Sequence, residues 1–245
     1  MMGELQLTTL GVDVKPAMKQ RHSTRMFVDE PLGDDELATI RSLAANIGGA
    51  ADIGMHVVSG DAASLGDTLD SVSHYGKFRG VRHLVVVTAP PTRAGQRNVG
   101  YYGELLVLLL TNAGFDTGWV GGSLGENEDD SSGNGEFRVA IAVGHAARPG
   151  HPHRSKAAAE LCELHGMPFE DMPAWFQHGI EAVQLAPSAL NRQPVRFELL
   201  DDADGRTGLP VVRATATDDL LATVGLGVAE LHFELGAGRD SFVWA

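Results

Sequence analysis

Apolar residues along this 245-residue chain fall into two spacings, and the alternation between them outlines the elements. Asp34 to Ala45 opens with acidic residues and sets Leu37, Ile40, Leu43 and Ala44 at helical intervals, which predicts a helix entered through a cap. Met55 to Ser59 is short enough for a strand, and Val81 to Thr88 holds the β-branched run Leu84-Val85-Val86-Val87 before Pro90-Pro91 closes it. Gly103 to Ala113 is apolar nearly all round and predicts a buried helix; Phe137 to Val143 predicts another strand, ending at Gly144. A second series follows. Ala174 to Leu185 places Phe176, Ile180 and Val183 on one helical face, Val195 to Leu200 and Pro210 to Ala216 read as strands, Leu220 to Leu235 as an apolar helix, and Phe242 to Ala245 as a terminal strand. Helices and strands in this order predict an α+β fold of mixed α/β layers.

The two series match below element order. Setting Arg196–Leu200 on Met55–Ser59 places the polar stretch ending at Asn191 over Asn46–Ala50, and separately Asn112–Trp119 corresponds loosely to Val224–Leu231, both late in an apolar helix. This points to an ancient duplication, although any α/β protein shows some alternation of the same kind.

Composition narrows the class. A hydrophobic share of 43% with 21% charged residues supports a packed core and opposes disorder of the whole chain. The net charge of -13 disfavours nonspecific contact with nucleic acid or an anionic membrane. Cys162 is the only cysteine, which excludes an intrachain disulfide or a cysteine-ligated cluster. Met1 to Leu10 carries Glu4 and polar residues in place of a basic region with an apolar run, and Leu105 to Leu110 is too short to span a bilayer, so a soluble, cytoplasmic protein is expected. Glu126 to Gly135 reads as a polar surface loop.

Two segments carry candidate chemistry. Arg21-His22-Ser23-Thr24-Arg25 offers guanidiniums and hydroxyls suited to a phosphate monoester, and Ala186 to Pro194 is a Pro-anchored loop suited to hydrogen-bonding the edge of a flat heterocycle. Each has a plainer reading: exposed arginines near a helix end, and a turn that stops a helix. Together they resemble the flavin-binding signature of the nitroreductase family, and the resemblance runs from about Arg21 to Ala245. Tyr75–Gly80 and Gly114–Gly122 agree with it in order and spacing.

The resemblance is to the duplicated single-chain "putative TM nitroreductase" branch, and it implies two similar halves, 1–160 and 161–245, related by a pseudo-dyad that mimics the family's homodimer. It implies FMN as cofactor, with Arg21, His22, Ser23 and Arg25 at the ribityl phosphate and Pro187, Ser188, Asn191 and Gln193 at the ring. Trp119, Gly121 and Gly122 would come close to the flavin; Arg154 and Lys156, with Arg148 as the alternative, would reach the phosphate. No side chain is then required as catalytic acid or base, because the flavin N5 carries the chemistry. The implied reaction passes hydride from NAD(P)H to a nitroaromatic, quinone or other small aromatic acceptor, in a monomeric pseudo-dimer or weak homo-oligomer. A flavin carrier or regulatory pseudoenzyme without turnover is the alternative, and relatives that dehalogenate or dehydrogenate supply a third. The chain departs from the family at Val195, where tryptophan is common, and at Glu126–Gly135, where substrate-contacting structure is shortened.

Competing motifs are weaker. Gly114–Gly122 and Gly225-Leu226-Gly227 do not follow a strand and open a helix, as a dinucleotide fingerprint must. His145, His151, His153 and His165 lack a regular metal-ligand spacing. Cys162 and His165 are expected on a helix face without an oxyanion site, and the acidic pairs Asp34-Asp35, Asp129-Asp130, Asp201-Asp202 and Asp218-Asp219 are expected as caps.

Overall fold

A computed structural model of the chain describes residues 13–51, 53–65, 69, 77–120, 137–151, 154–217 and 221–245. It divides into two compact units, Met1–Pro152 and His153–Ala245.

The first unit contains helix α1 (Lys15–Gln20), helix α2 (Asp34–Ala51), strands β1 (Gly54–Ser59) and β2 (His83–Ala89), helix α3 (Arg93–Asn112), and strands β3 (Asp116–Val120) and β4 (Phe137–Gly144). Its sheet runs β1-β2-β4-β3 and is antiparallel throughout, with Val85 facing Val57 on one side and Ile141 on the other. The central position of β2 explains its unbroken apolar run, since neighbours cover both its edges and most of its side chains are buried. Helix α3 begins at Arg93, earlier than the predicted Gly103, because the Thr92 hydroxyl accepts the Gly95 amide at 3.0 Å and caps a polar first stretch that apolar periodicity does not reveal. Helix α2 likewise runs past Ala45 to Ala51.

The second unit contains the short strand β5 (Cys162–Glu163), helix α4 (Ala174–Val183), strands β6 (Val195–Ala203) and β7 (Pro210–Ala216), helix α5 (Ala222–Ala237) and strand β8 (Val243–Trp244). Its sheet order is β5-β6-β7-β8, with an antiparallel β6–β7 hairpin flanked by two parallel pairings. Phe233 of α5 is the centre of the core, stacked on Phe197 at 4.9 Å and edge-on to Phe176 at 5.4 Å and Phe242 at 5.1 Å. Helices α4 and α5 approach closely at two glycines: a Cβ on Gly179 would stand 2.6 Å from the Phe233 ring, and one on Gly236 would stand 2.3 Å from the His178 carbonyl.

Both units share the order helix, strand, strand, helix. The two residue-level correspondences expected from the sequence do not hold. Asn46–Ala50 lies within α2, whereas the stretch ending at Asn191 is an irregular turn; Asn112–Trp119 leaves a helix and enters β3, whereas Val224–Leu231 is the interior of α5. Strand β3 and helix α1 were not anticipated, β3 because Gly114 and Gly118 break up its pattern.

Candidate functional site

The Arg21–Arg25 segment begins where α1 stops. Arg21 turns extended at φ -60 and ψ 131, while its amide still donates to Ala17 at 2.8 Å. The chain beyond it runs along β3, an edge strand of its sheet, with Ser23 bridged in parallel to Thr117 and the Thr24 amide donating to the Thr117 carbonyl at 2.8 Å. Further on, Arg79 donates to Arg25 and accepts from Phe27, and Val28 donates to His145. Two glycines make the approach possible. A Cβ on Gly118 would stand 2.1 Å from the Thr24 carbonyl oxygen, and one on Gly80, held at φ +70, would stand 2.1 Å from that of Phe27.

The side chains of this segment differ sharply in environment. Ser23 and Arg25 are exposed, His22 is half-buried with Gly150 packed against its ring, and Arg21 is buried. Arg21 Nε lies 3.6 Å from Glu104 Oε1, and the two side chains are 4% and 0% exposed. At that length the contact is an ion pair without a hydrogen bond, and among the described residues Nε has no hydrogen-bond partner. Nη1 donates to the Ser23 hydroxyl at 3.4 Å. The other carboxylate oxygen, Oε2, accepts the Trp119 indole N–H at 2.8 Å. Gly103 makes room for that indole, since a Cβ there would come within 2.5 Å of it. Consecutive residues of α3 thus receive the ring and anchor both Trp119 and Arg21.

In the second unit the polar stretch is a strained turn. Leu190, Asn191 and Gln193 all take left-handed backbone conformations, at φ 52, 55 and 48. Such conformations cost about 1–3 kcal/mol each outside glycine and persist where surrounding bonds impose them. Gln193 is the hub of those bonds. Its amide donates to the Ser188 hydroxyl at 2.9 Å, and its side-chain Nε2 donates to the Arg154 carbonyl at 3.0 Å and to Asn191 Oδ1 at 3.1 Å. Its Oε1 accepts the Lys156 amide and its main-chain carbonyl accepts Lys156 Nζ, both at 2.9 Å. Asn191 Nδ2 donates to the same Arg154 carbonyl at 2.7 Å. Lys156 also binds the end of α4, its carbonyl accepting Gln184 Nε2 at 2.8 Å. Pro187 and Ser188 are half-buried, and Asn191 sits on the surface.

The sequence-predicted residues therefore form two groups: Arg21, His22, Ser23, Arg25 and Trp119 in the first unit, and Arg154, Lys156, Pro187, Ser188, Asn191 and Gln193 in the second. Arg154 and Lys156 stand with the polar turn, and Gly121 and Gly122 lie outside the described residues, as do Tyr75 and Gly76. Glu104 was missed, although a single acid inside Gly103–Leu110 was its visible signal. Cys162 and His165 are not on a helix. Cys162 lies in β5 beside β6 and His165 in a left-handed turn, so the expected helix face is replaced by a strand and its turn. Burial pushes the Cys162 thiol up to about 12, and its sulfur donates to the Ala158 carbonyl, which suits a packed thiol rather than a nucleophile. His145 pairs with Glu36 and His165 with Glu198, and among the described residues no group of three acids, histidines or cysteines could hold a metal. No helix among them is long and apolar enough to cross a membrane.

Chemically, the first group suits a phosphate monoester: exposed Arg25 and Ser23 share one segment with buried Arg21, whose Nε–H makes no hydrogen bond among the described residues. The second commits the buried Gln193 amide to pinning its own backbone, and the surface Asn191 amide and the Ser188 hydroxyl are the groups that suit the edge of a planar ring.

A family model described as "Putative TM nitroreductase" matches residues 13–237. Similar crystal structures include a "putative nitroreductase" from Thermotoga maritima MSB8, 19% identical over 93% of this chain and 85% of that one, with a TM-score of 0.62, which establishes the nitroreductase-like fold. They also include a "putative nitroreductase" in complex with FMN from Desulfovibrio desulfuricans (21% identity, 61% and 95% coverage, TM-score 0.44). A nitroreductase with bound FMN from Bacteroides fragilis NCTC 9343 shows 16% identity, 60% and 95% coverage and a TM-score of 0.44. No curated protein matches the chain.

Proposed function

Because the chain belongs to the family described as "Putative TM nitroreductase", we propose that it is an FMN-dependent oxidoreductase carrying reducing equivalents from NAD(P)H to a small nitroaromatic, quinone or similar acceptor. The matched span contains both donor sets that FMN needs, and this observation carries the assignment. When bound, FMN supplies hydride chemistry at its N5.

The chain's own residues bind and orient. Arg25 and Ser23, with His22 and Arg21 behind them, take the phosphate as charge-assisted donors. Asn191, with the Ser188 hydroxyl, takes the edge of the ring from the turn that starts at Pro187, and Gln193, its amide hydrogens committed to Arg154 and Asn191, holds that turn in place. Arg154 and Lys156 act on that turn as positioning residues, through the Arg154 carbonyl and both Lys156 nitrogens. Trp119, Gly121 and Gly122 belong to the stretch that the family brings near the flavin. The two units descend, in this proposal, from one duplicated half, which their shared order of helix, strand, strand, helix supports.

Purified protein should show the visible flavin band, bleach with NADH or NADPH, and recover with menadione or a nitrofuran. A band inert to both nicotinamides would identify a flavin carrier instead, and protein that takes up no FMN on titration would end the assignment. Arg25→Ala is the cleaner probe of the phosphate site, expected to weaken FMN binding on the order of tenfold. Arg21→Ala is confounded, since it also breaks the ion pair with Glu104.

A further inference from the structure

We propose that Glu104 is the internal counter-ion of the phosphate segment and sets how strongly that segment binds an anion. The physiological ligand in this inference rests on the FMN reading, but the electrostatics do not. Glu104 is fully buried on α3, with Oε1 3.6 Å from Arg21 Nε and Oε2 fixed by the Trp119 indole N–H at 2.8 Å. Neither Arg21 nor Glu104 is exposed enough for water to screen the pair effectively. An anion reaching Ser23 therefore meets an Arg21 guanidinium whose charge is already offset by a carboxylate that cannot move away: Gly103 seats the Trp119 ring, and the indole holds the carboxylate in turn.

Glu104→Gln removes the charge and keeps an acceptor for the indole. Arg21 is then left without a buried counter-ion, and a phosphate dianion becomes its partner. Three readouts follow. Glu104→Gln should bind FMN roughly tenfold tighter than wild type, while riboflavin, which has the same ring and no phosphate, should shift by less than about twofold. Sodium phosphate should raise the melting temperature of Glu104→Gln more than that of wild type, relative to sodium chloride at equal ionic strength. Adding Arg21→Met should erase both gains.

Equal shifts for FMN and riboflavin, or a phosphate response no larger than in wild type, would overturn the proposal. If Glu104→Gln does not fold in chloride, recovery is scored in phosphate against chloride. Phosphate-selective recovery supports the counter-ion role, and equal failure in both overturns it. Wild-type protein that binds no FMN would sink the flavin reading, while the inorganic phosphate comparison would still decide the role of Glu104.

Discussion

Removing Arg21 while leaving Glu104 in place should be among the most damaging single changes in the first unit. Arg21→Met leaves a carboxylate with 0% side-chain exposure facing a thioether in place of a cation. Breaking a buried ion pair from one side costs about 3–5 kcal/mol, and a chain of this size loses roughly 2–4 °C per kcal/mol, so the melting temperature should fall by about 6–20 °C. Glu104→Gln should cost less, because the long Arg21 side chain can turn toward water whereas a glutamate fixed within a helix cannot. The double variant Arg21→Met with Glu104→Gln strands no charge and keeps the indole acceptor, so it should recover most of the loss. The assay is thermal and urea unfolding of flavin-free protein in chloride buffer, followed by circular dichroism, with the four species forming a double-mutant cycle. A coupling of about 2 kcal/mol or more is expected. Effects that add within about 0.5 kcal/mol would show that the 3.6 Å contact contributes nothing and would refute the reasoning.

Three further changes follow from local environments. His83 Nε2 accepts the Leu32 amide at 3.0 Å, so Nδ1 carries the proton and donates to the Ser59 hydroxyl at 2.8 Å; this arrangement exists only in the neutral ring. Burial, then Arg82 and Arg41, hold its pKa below the ordinary 6.5, so the unfolded chain takes up the proton first as pH falls. Stability should be full above about pH 6.5 and decline below it toward the folded pKa, and His83→Asn should flatten that part of a urea-midpoint profile; identical slopes would exclude the role. The Cys162 thiol, pushed up to about 12 by burial, should resist a thiol reagent at neutral pH until denaturant is added, and rapid labelling of native protein would contradict its packing. Gly179→Ala should destabilise by about 1–3 kcal/mol in urea unfolding, because its methyl would stand 2.6 Å from the fully buried Phe233 ring; a neutral effect would mean that α4 and α5 separate freely there.

Much of the architecture can be read from apolar spacing, and what escapes has identifiable causes. β2 and α3 stand out because burial on several sides demands long apolar runs, and α4 because Phe176, Ile180 and Val183 share one buried face. β3 does not, because it is five residues long and carries Gly118 at its centre, which the close approach of the Thr24 carbonyl requires and which weakens a strand pattern. The start of α3 is hidden by a cap that outweighs ten residues of poor periodicity, from Arg93 to Tyr102.

The same distinction separates the candidate residues. Residue types that bind phosphate or a ring edge are visible in sequence, but the arrangement that decides how they act is set by partners far along the chain. Arg21 and Arg25 look alike in Arg21-His22-Ser23-Thr24-Arg25, yet one is buried against an acid on α3 and the other lies at the surface. Gln193 reads as an ordinary turn residue until Lys156 and Arg154 are found to hold it in a left-handed conformation that glutamine rarely adopts. A motif match therefore assigns two equivalent arginines, whereas burial sets them apart: Arg25 lies at the surface, and Arg21 cannot be changed without also breaking its ion pair with Glu104.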